Sequence, residues 1–299
     1  MGPTASGKTN LAIELIQHLD AEIISVDSAM VYRGMDIGTA KPSALILKQA
    51  PHRLIDTHDP SQSYSAGEFR VDAIAAIEEI LSRDRIPLLV GGTMLYFHIL
   101  QQGIATLPQA NQQIRQQLEK ELAQQGLKKL HQRLSSIDLI AAQRIHPNDP
   151  QRILRALEVF MLTGKTLTTL QQASHRDSQL PYLFINIALI PSDRELLYQS
   201  IASRFQTMLK IGLLAEVEQL FKRGDLHANL PSMRTVGYRQ VWNYLMGHSS
   251  SIEMQESAII ATRQLAKRQL TWLRSWKKLN PLISHDKENI RKIIQLIKQ

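Results

Sequence analysis

Two stretches near the start of this 299-residue chain carry residue types at spacings suited to phosphate chemistry. The first, Gly2-Pro3-Thr4-Ala5-Ser6-Gly7-Lys8-Thr9, fits the pattern G-x-x-x-x-G-K-[ST]. Its two glycines permit turns that side chains would block, so successive backbone N–H groups can point at phosphate oxygens. Lys8 adds a compact positive charge, and the Thr9 hydroxyl is placed to ligate Mg²⁺. The second stretch, Glu22-Ile23-Ile24-Ser25-Val26-Asp27, reads as a short strand ending in an acid. Ligands of open α/β sheets sit beyond the carboxyl ends of strands, so Asp27 is expected beside the phosphate loop. Three roles are open to it there: a turn cap with Ser28, a Mg²⁺ ligand or a general base.

The elements that would position these residues follow from periodicity. Leu11, Ala12, Leu15, Ile16 and Leu19 recur at helical spacing, so the loop opens into a helix N-terminus, which attracts anions. A phosphate loop of this kind normally follows a buried parallel strand, and only Met1 stands before Gly2. The expectation is a truncated or misassigned start with the strand encoded upstream. Val31 to Pro42 has too many glycines for a helix and reads as a loop wrapping a ligand, with Arg33 and Lys41 as its cations. Ser65-Ala66-Gly67-Glu68 is a capping box, continued by Phe69, Ala73, Ile77 and Ile80. Pro87-Leu88-Leu89-Val90 is a buried parallel strand by composition, and it ends in Gly91-Gly92-Thr93 where a motor NTPase would carry an acid.

From Leu107 to about Pro181 strands are scarce. Amphipathic helices carry Ile114, Leu118 and Leu122, then Leu127, Leu130 and Leu134, then Ile153, Leu154, Leu157 and Phe160 behind an Asn148-Asp149-Pro150 cap. The expected organisation is therefore a P-loop α/β core over 1–107 and 182–299, a parallel sheet flanked by helices. An all-helical insertion over 108–181 interrupts it. Arg115, Arg152 and Arg155 of the insertion would face phosphates if it closes over a nucleic acid, or else are solvated surface charges. Leu183 to Ile190 returns as a strand. Ser192 with Glu195 should cap the next helix, where Arg204 borders a stripe of Leu197, Ile201, Phe205 and Met208. An arginine there needs an anionic partner or an exit to solvent. In the longest helix, Ile252 to Lys278, Leu265, Trp272 and Trp276 are expected to pack, while Arg263, Lys267, Arg274 and Lys278 present charge on the other side. The tail after Pro281 carries no visible chemistry.

The totals agree. A chain that is 43% hydrophobic can build one large or two modest domains. Without cysteine it has no disulfide or thiolate zinc site, and its ten His residues lack ligand spacing. No apolar run reaches the ~18 residues of a membrane span. The expectation is a cytoplasmic protein with no membrane partner, and nothing demands more than a monomer. A net charge of +8 and a pI near 9.7 favour a polyanionic partner.

Taken together, the chain resembles the bacterial tRNA dimethylallyltransferase (tRNA isopentenyltransferase) family. The resemblance rests on the phosphate loop, Val26-Asp27-Ser28, Tyr32 to Pro42, Gly91-Gly92-Thr93-Met94-Leu95-Tyr96, Asp149-Pro150-Gln151-Arg152, Gly237-Tyr238-Arg239-Gln240 and Thr262 to Gln269, in family order. It implies transfer of a dimethylallyl group from its diphosphate to N6 of the adenosine immediately 3′ of the anticodon (position 37). The phosphate loop would then hold a departing diphosphate instead of ATP. The catalytic residues it implies are Asp27 as general base, with Thr9 and Arg204 on the diphosphate and Thr9 on Mg²⁺. The tRNA anticodon stem-loop would meet Asp27-Ser28-Ala29-Met30, Thr93, Arg115 and Gln151-Arg152-Ile153-Leu154-Arg155. Its further contacts would be Arg234-Thr235-Val236-Gly237-Tyr238-Arg239 and Lys267-Arg268-Gln269-Leu270-Thr271-Trp272-Leu273-Arg274. Many relatives carry Gln three residues after the acid, where this chain has Met30. A P-loop kinase of a nucleotide or small molecule is the alternative, which leaves the basic helix unexplained.

Overall fold

From the phosphate loop the chain enters α1 (Lys8–Leu15), β1 (Ala21–Val26), α2 (Ala44–Gln49), β2 (His52–Arg53), α3 (Ala66–Leu81), β3 (Ile86–Gly91) and α4 (Met94–Gln102). Five helices follow: α5 (Gln112–Gln125), α6 (Leu127–Ile137), α7 (Leu139–Arg144), α8 (Pro150–Thr163) and α9 (Leu167–Ser174). The chain closes with β4 (Asn186–Ile190), α10 (Arg194–Lys210), α11 (Leu213–Lys222), α12 (Tyr238–Leu245), α13 (Ser251–Arg274), β5 (Leu279–Ile283) and α14 (Asn289–Ile297). The computed structural model describes residues 1–105, 107–174 and 180–298. It divides into two compact units, Met1–Leu100 with Tyr182–Gln299, and Gln101–Pro181. The boundary read from the sequence at 107/108 lies a few residues past this division. Residues 175–179 of the expected insertion fall outside the described residues.

In the larger unit every strand pairing is parallel. The order β2-β1-β3 places β1 centrally, in register Ile23↔Leu88 and Ser25↔Val90 with β3, and β4 pairs separately with β5. Ile23, Ile24 and Val26 are buried, as a strand covered on both faces requires. Gly91 is dictated by this pairing, since a methyl group there would lie 2.0 Å from the Val26 carbonyl oxygen. Met1 runs beside β4. Its amino group donates to the Ile187 carbonyl at 2.8 Å, and its own carbonyl accepts from Leu189 N at 2.9 Å. Gly2 follows between Leu189 and Gly92: a methyl on Gly2 would sit 2.9 Å from Leu189 O, and one on Gly92 would sit 3.3 Å from Gly2 O.

Caps fix several helix starts. The Ser65–Glu68 box is formed on both sides. α10 departs from expectation: its cap is Asp193, whose Oδ1 accepts from Glu195 N at 2.9 Å, not Ser192. Among the described residues no helix is long and apolar enough to cross a membrane.

The smaller unit is helical, because its apolar residues repeat at three and four and so give each helix one burying stripe. Leu118, Leu130, Leu134, Ile153, Leu157 and Val159 form its core. Asp138 caps α7 through Ala141 N and also receives Thr168 N at 2.9 Å and its Oγ1 at 2.7 Å. A second buried carboxylate in this unit is Glu158. Glu158 is 1% exposed and accepts from Arg155 at 2.7 Å, from Arg115 at 3.0 Å and from Asn111 N at 2.9 Å. Burial alone would raise the Glu158 carboxyl; the bonds from Arg155, Asn111 and Arg115 outweigh it and hold the group below its ordinary value. A depressed carboxylate contributes stability above its unfolded pKa and loses it as pH falls through the folded one. Glu158→Ala should therefore destabilise this unit by about 3 kcal/mol near neutral pH, because two guanidinium groups lose their partner. Urea unfolding followed by circular dichroism checks it, and the gap between variant and wild type should close in acid.

Candidate active site

The phosphate loop folds as its glycines require. Ala5 and Gly7 have left-handed backbones at φ +61° and +81°, and α1 starts at Gly7 without a side-chain cap, so its leading N–H groups stay available. Ser6 Oγ donates to Pro3 O at 2.8 Å, and Lys8 Nζ donates to the same carbonyl. The lysine thus lies folded onto the loop that it would serve. Around the loop opens a cavity of about 790 Å³. It is lined by Thr4 to Thr9, Asp27 to Met30, Gly91 to Leu95, Arg204, Arg234 to Gly237, Arg268, Gln269, Trp272 and His285.

Asp27 stands just past β1, where the strand rule put it. Its Oδ1 accepts from Ala29 N at 2.8 Å and Met30 N at 3.3 Å, while Oδ2 has no hydrogen-bond partner among the described residues. The acid therefore caps its own turn and still offers one oxygen to the cavity. Thr93, just past β3, braces the same turn: its Oγ1 accepts from Ser28 N at 3.1 Å, and its N donates to Val26 O at 3.2 Å. Met30 Sδ lies 3.8 Å from Ser25 Oγ.

Among the cations lining the cavity, Lys8 and Arg204 have their charged forms disfavoured by burial. Burial, with the Arg204 charge added, pushes the Lys8 ammonium down to about 7, while Asp27 works the other way. Burial likewise lowers the Arg204 guanidinium, opposed by Asp27. Arg204 makes no hydrogen bond or ion pair among the described residues, unlike most arginines of this chain. Two half-buried cations beside unpaired backbone donors are suited to binding an anion.

The long helix α13 corrects the sequence reading. Its packed face is Met254, Ala258, Ala266, Gln269 and Leu273, not Leu265, Trp272 and Trp276. Leu265, Arg268 and Trp272 line the cavity. Trp272 is 38% exposed, and its ring is 5.7 Å from that of His98. Of the expected basic stripe, Lys267, Arg274 and Lys278 are exposed, but Arg263 stacks 5.0 Å above Tyr198. Gln269 is 8% exposed and does structural work. Its Oε1 accepts from Thr4 N at 2.9 Å and its Nε2 donates to Gly92 O at 2.8 Å, so it joins the phosphate loop to the end of β3.

The loop Tyr32 to Pro42 wraps an anion that belongs to the protein itself. The N–H groups of Asp36, Ile37 and Gly38 converge on the Glu216 carboxylate at 2.9, 2.7 and 3.2 Å, and Tyr238 OH donates to it as well. Burial first, then the Glu216 charge, pushes the Tyr238 phenol up. Lys41, with a side chain 3% exposed, pairs with Asp36 and Asp56, and Arg33 donates to the carbonyls of Asp56 and Thr57. The loop's cations hold its shape and do not line the cavity.

Of the expected nucleic-acid contacts in the larger unit, Arg234 and Arg239 are exposed, Thr235 and Val236 are half-buried, and Tyr238 is buried beneath Gly38. Arg268 and Thr271 are exposed, Leu270 packs against Leu197 and Ile201, and Leu273 is buried. In the smaller unit Gln151 and Arg152 are exposed, Arg152 beside Asp149 at 3.3 Å. Ile153 is core, Leu154 packs against that core, and Arg115 and Arg155 are engaged by Glu158. Those four side chains answer to the fold first. Sequence reading passed over His285, which lines the cavity from the turn after β5. The strand-end rule that located Asp27 is the signal that would have found it.

The chain matches the family model described as IPP transferase over residues 30–276. It is similar to the full-length tRNA isopentenylpyrophosphate transferase of Bacillus halodurans, with 37% identity over 99% of this chain and 93% of that one, at a TM-score of 0.72. The tRNA delta(2)-isopentenylpyrophosphate transferase of Staphylococcus epidermidis matches at 35% identity over 100% and 95% of the two chains, TM-score 0.69. A eukaryotic dimethylallyltransferase acting on tRNA matches at 25% identity over 99% and 76%, TM-score 0.82.

Replacing Gln269 by Leu keeps the volume but leaves a buried N–H and a buried carbonyl unpaired. The expected cost is about 2 kcal/mol in urea unfolding. Amide exchange from Thr4 to Lys8 should quicken more than elsewhere.

Proposed function

Since the chain belongs to the IPP transferase family, it transfers a dimethylallyl group to tRNA, and we propose that the donor's diphosphate sits in the phosphate loop while N6 of the adenosine 3′ to the anticodon attacks beside Asp27. The observation that carries this reading is the unpartnered Arg204 guanidinium, sharing one cavity with Lys8, the loop amides and Asp27.

An exocyclic adenine amine is a weak nucleophile, so most of the barrier falls on breaking the allylic C–O bond. As that bond breaks, negative charge grows on the diphosphate. Lys8, Arg204 and the N–H groups at the start of α1 are placed to stabilise it without reorganising. The C–N bond forms at N6 and the amine proton passes to Asp27 Oδ2, the oxygen not engaged by Ala29 and Met30. Products are N6-(dimethylallyl)adenosine in tRNA and diphosphate. The target base must leave its stack to reach the cavity, at a cost of a few kcal/mol. Trp272, exposed at the cavity wall, offers a ring for it to meet.

Mg²⁺ would be held here through the hydroxyl of Thr9, a residue that lines the cavity. Among the described residues there is no cluster of three or more His, Asp or Glu that could hold a metal ion. The ion would thus take most of its ligands from diphosphate and water, as Mg²⁺ commonly does. When bound it neutralises charge on the leaving group.

Two measurements test the reading. Asp27→Asn keeps an oxygen for the Ala29 and Met30 amides but removes the base. Turnover with dimethylallyl diphosphate and unmodified tRNA should fall at least about a hundredfold, with tRNA affinity nearly unchanged. Equal losses in both, or phosphotransfer from ATP without prenyl transfer, would refute the assignment. The second concerns Lys8, whose ammonium is pushed down to about 7 by burial and the nearby Arg204 charge. A bound diphosphate favours its ammonium form, so binding takes up a proton and affinity declines as pH rises through 7 and above. Calorimetry at pH 8 in buffers of different ionisation enthalpy should register that uptake, and Lys8→Arg should abolish the Lys8 share of it.

A further inference from the structure

The turn after β5 brings a side chain to the phosphate loop that the reaction as described leaves unused. His285 lies two residues beyond the carboxyl end of β5, as Asp27 and Thr93 lie just beyond β1 and β3. Its imidazole covers Gly7. A methyl group on Gly7 would come within 2.8 Å of Cε1, 3.2 Å of Nδ1 and 3.6 Å of Nε2. Both ring nitrogens therefore sit over the residue from which α1 begins, beside the N–H groups that open toward the cavity. The ring is exposed and makes no hydrogen bond, ion pair or ring contact among the described residues.

The backbone fixes this placement. His285 has φ +65°, a left-handed conformation that histidine adopts more readily than most residues, though still at some cost. Ser284 N bonds to Ile190 O at 2.9 Å on one side of it. On the other, Asn289 Nδ2 bonds to Ile283 O at 2.8 Å and Lys292 pairs with Asp286 at 2.7 Å. The turn is pinned to both strands of the smaller sheet and to α14, so the backbone that carries the ring is held beside the loop.

We propose that His285 is a diphosphate ligand: its imidazole N–H donates to a phosphate oxygen held by the loop, beside Gly7. The inference rests on the reading above that this loop binds the donor's diphosphate. A neutral imidazole supplies one donor there and an imidazolium two. A hydrogen bond from such a donor to a charged phosphate strengthens binding of the diphosphate both as substrate moiety and as product. It touches neither the allylic carbon nor the adenine.

The test uses the full chain, inorganic diphosphate with Mg²⁺ as the calorimetric probe, and two variants matched to the backbone. His285→Gly removes the ring and accepts φ +65° without strain. His285→Asn also tolerates that conformation and returns an amide donor. Diphosphate binding by His285→Gly should weaken about tenfold, and KM for dimethylallyl diphosphate should rise by a similar factor. KM for tRNA and the thermal midpoint should hold, and His285→Asn should recover part of the loss. Unchanged diphosphate binding in His285→Gly overturns the proposal. So does a rise in KM for tRNA alone, which would place the ring on the nucleic-acid backbone. An equal loss in Asn and Gly overturns it too, because the ring would then act only by packing on Gly7. Failure of the wild-type protein to bind inorganic diphosphate would remove the phosphate-loop reading itself and this inference with it.

Discussion

A loop built to offer unpaired N–H groups to a ligand cannot use those groups to hold its own shape. That constraint organises the larger unit. The phosphate loop's internal bonds are made by side chains, from Ser6 and Lys8 to Pro3 O and from Lys8 to Ser6 Oγ at 3.5 Å, and it is held otherwise from outside. Gln269 fixes Thr4 from α13, Gly92 closes on the same glutamine from β3, and Met1 ties the loop's entry to β4. The glycines at 2, 91 and 92 belong to this scheme as close-approach positions, where a methyl group would meet a carbonyl or the Gln269 amide at 2.0 to 2.9 Å. Rigidity here suits the proposed chemistry: donors that are already aimed need not reorganise as charge develops.

Charge in this protein is informative only after pairing is known. Arg53, Arg83 and Arg85 share Glu22 and its neighbours, Arg223 is shared by Asp59 and Asp225, and Arg115 and Arg155 converge on Glu158. Lys41 is held between two aspartates. Against that background Arg204 stands apart, without a hydrogen bond or ion pair among the described residues and in the same cavity as Lys8, whose ammonium is pushed down to about 7. The net charge of +8 favoured a polyanionic partner but could not tell these two cations from the paired ones.

Legibility in the sequence followed the range of the interactions. The phosphate loop, the Ser65–Glu68 box, the Asp149 cap and the strand ending at Asp27 are local patterns, and each stands where its residues placed it. What failed depends on partners far along the chain. The glycine-rich loop after Tyr32 does bind an anion, but the anion is Glu216, supplied by α11. Trp272 seemed a core residue because large apolar side chains usually pack. α13, however, has two jobs, and the side carrying Leu265 and Trp272 faces the cavity while small Ala258 and Ala266 face the core. Ile153, Tyr238 and Leu273 lie within runs attributed to nucleic-acid contact, yet the fold buries them. A motif names a stretch; only packing says which side chains in it look outward.

Asp27 shows why a structural and a chemical role need not compete. A carboxylate has two oxygens, and the turn after β1 uses only one of them. The bonds from Ala29 and Met30 restrict rotation of a group that lines the same cavity as Arg204 and Lys8 and leave its other oxygen free. Thr93 reinforces the arrangement by bonding to Ser28 next door. A base that must receive a proton from an amine in a fixed position gains from this restraint, because geometry precedes pKa in deciding whether transfer occurs. The turn cap is thus the means by which the proposed base is aimed, and the same logic extends to His285, whose strained turn aims a ring in place of a carboxylate.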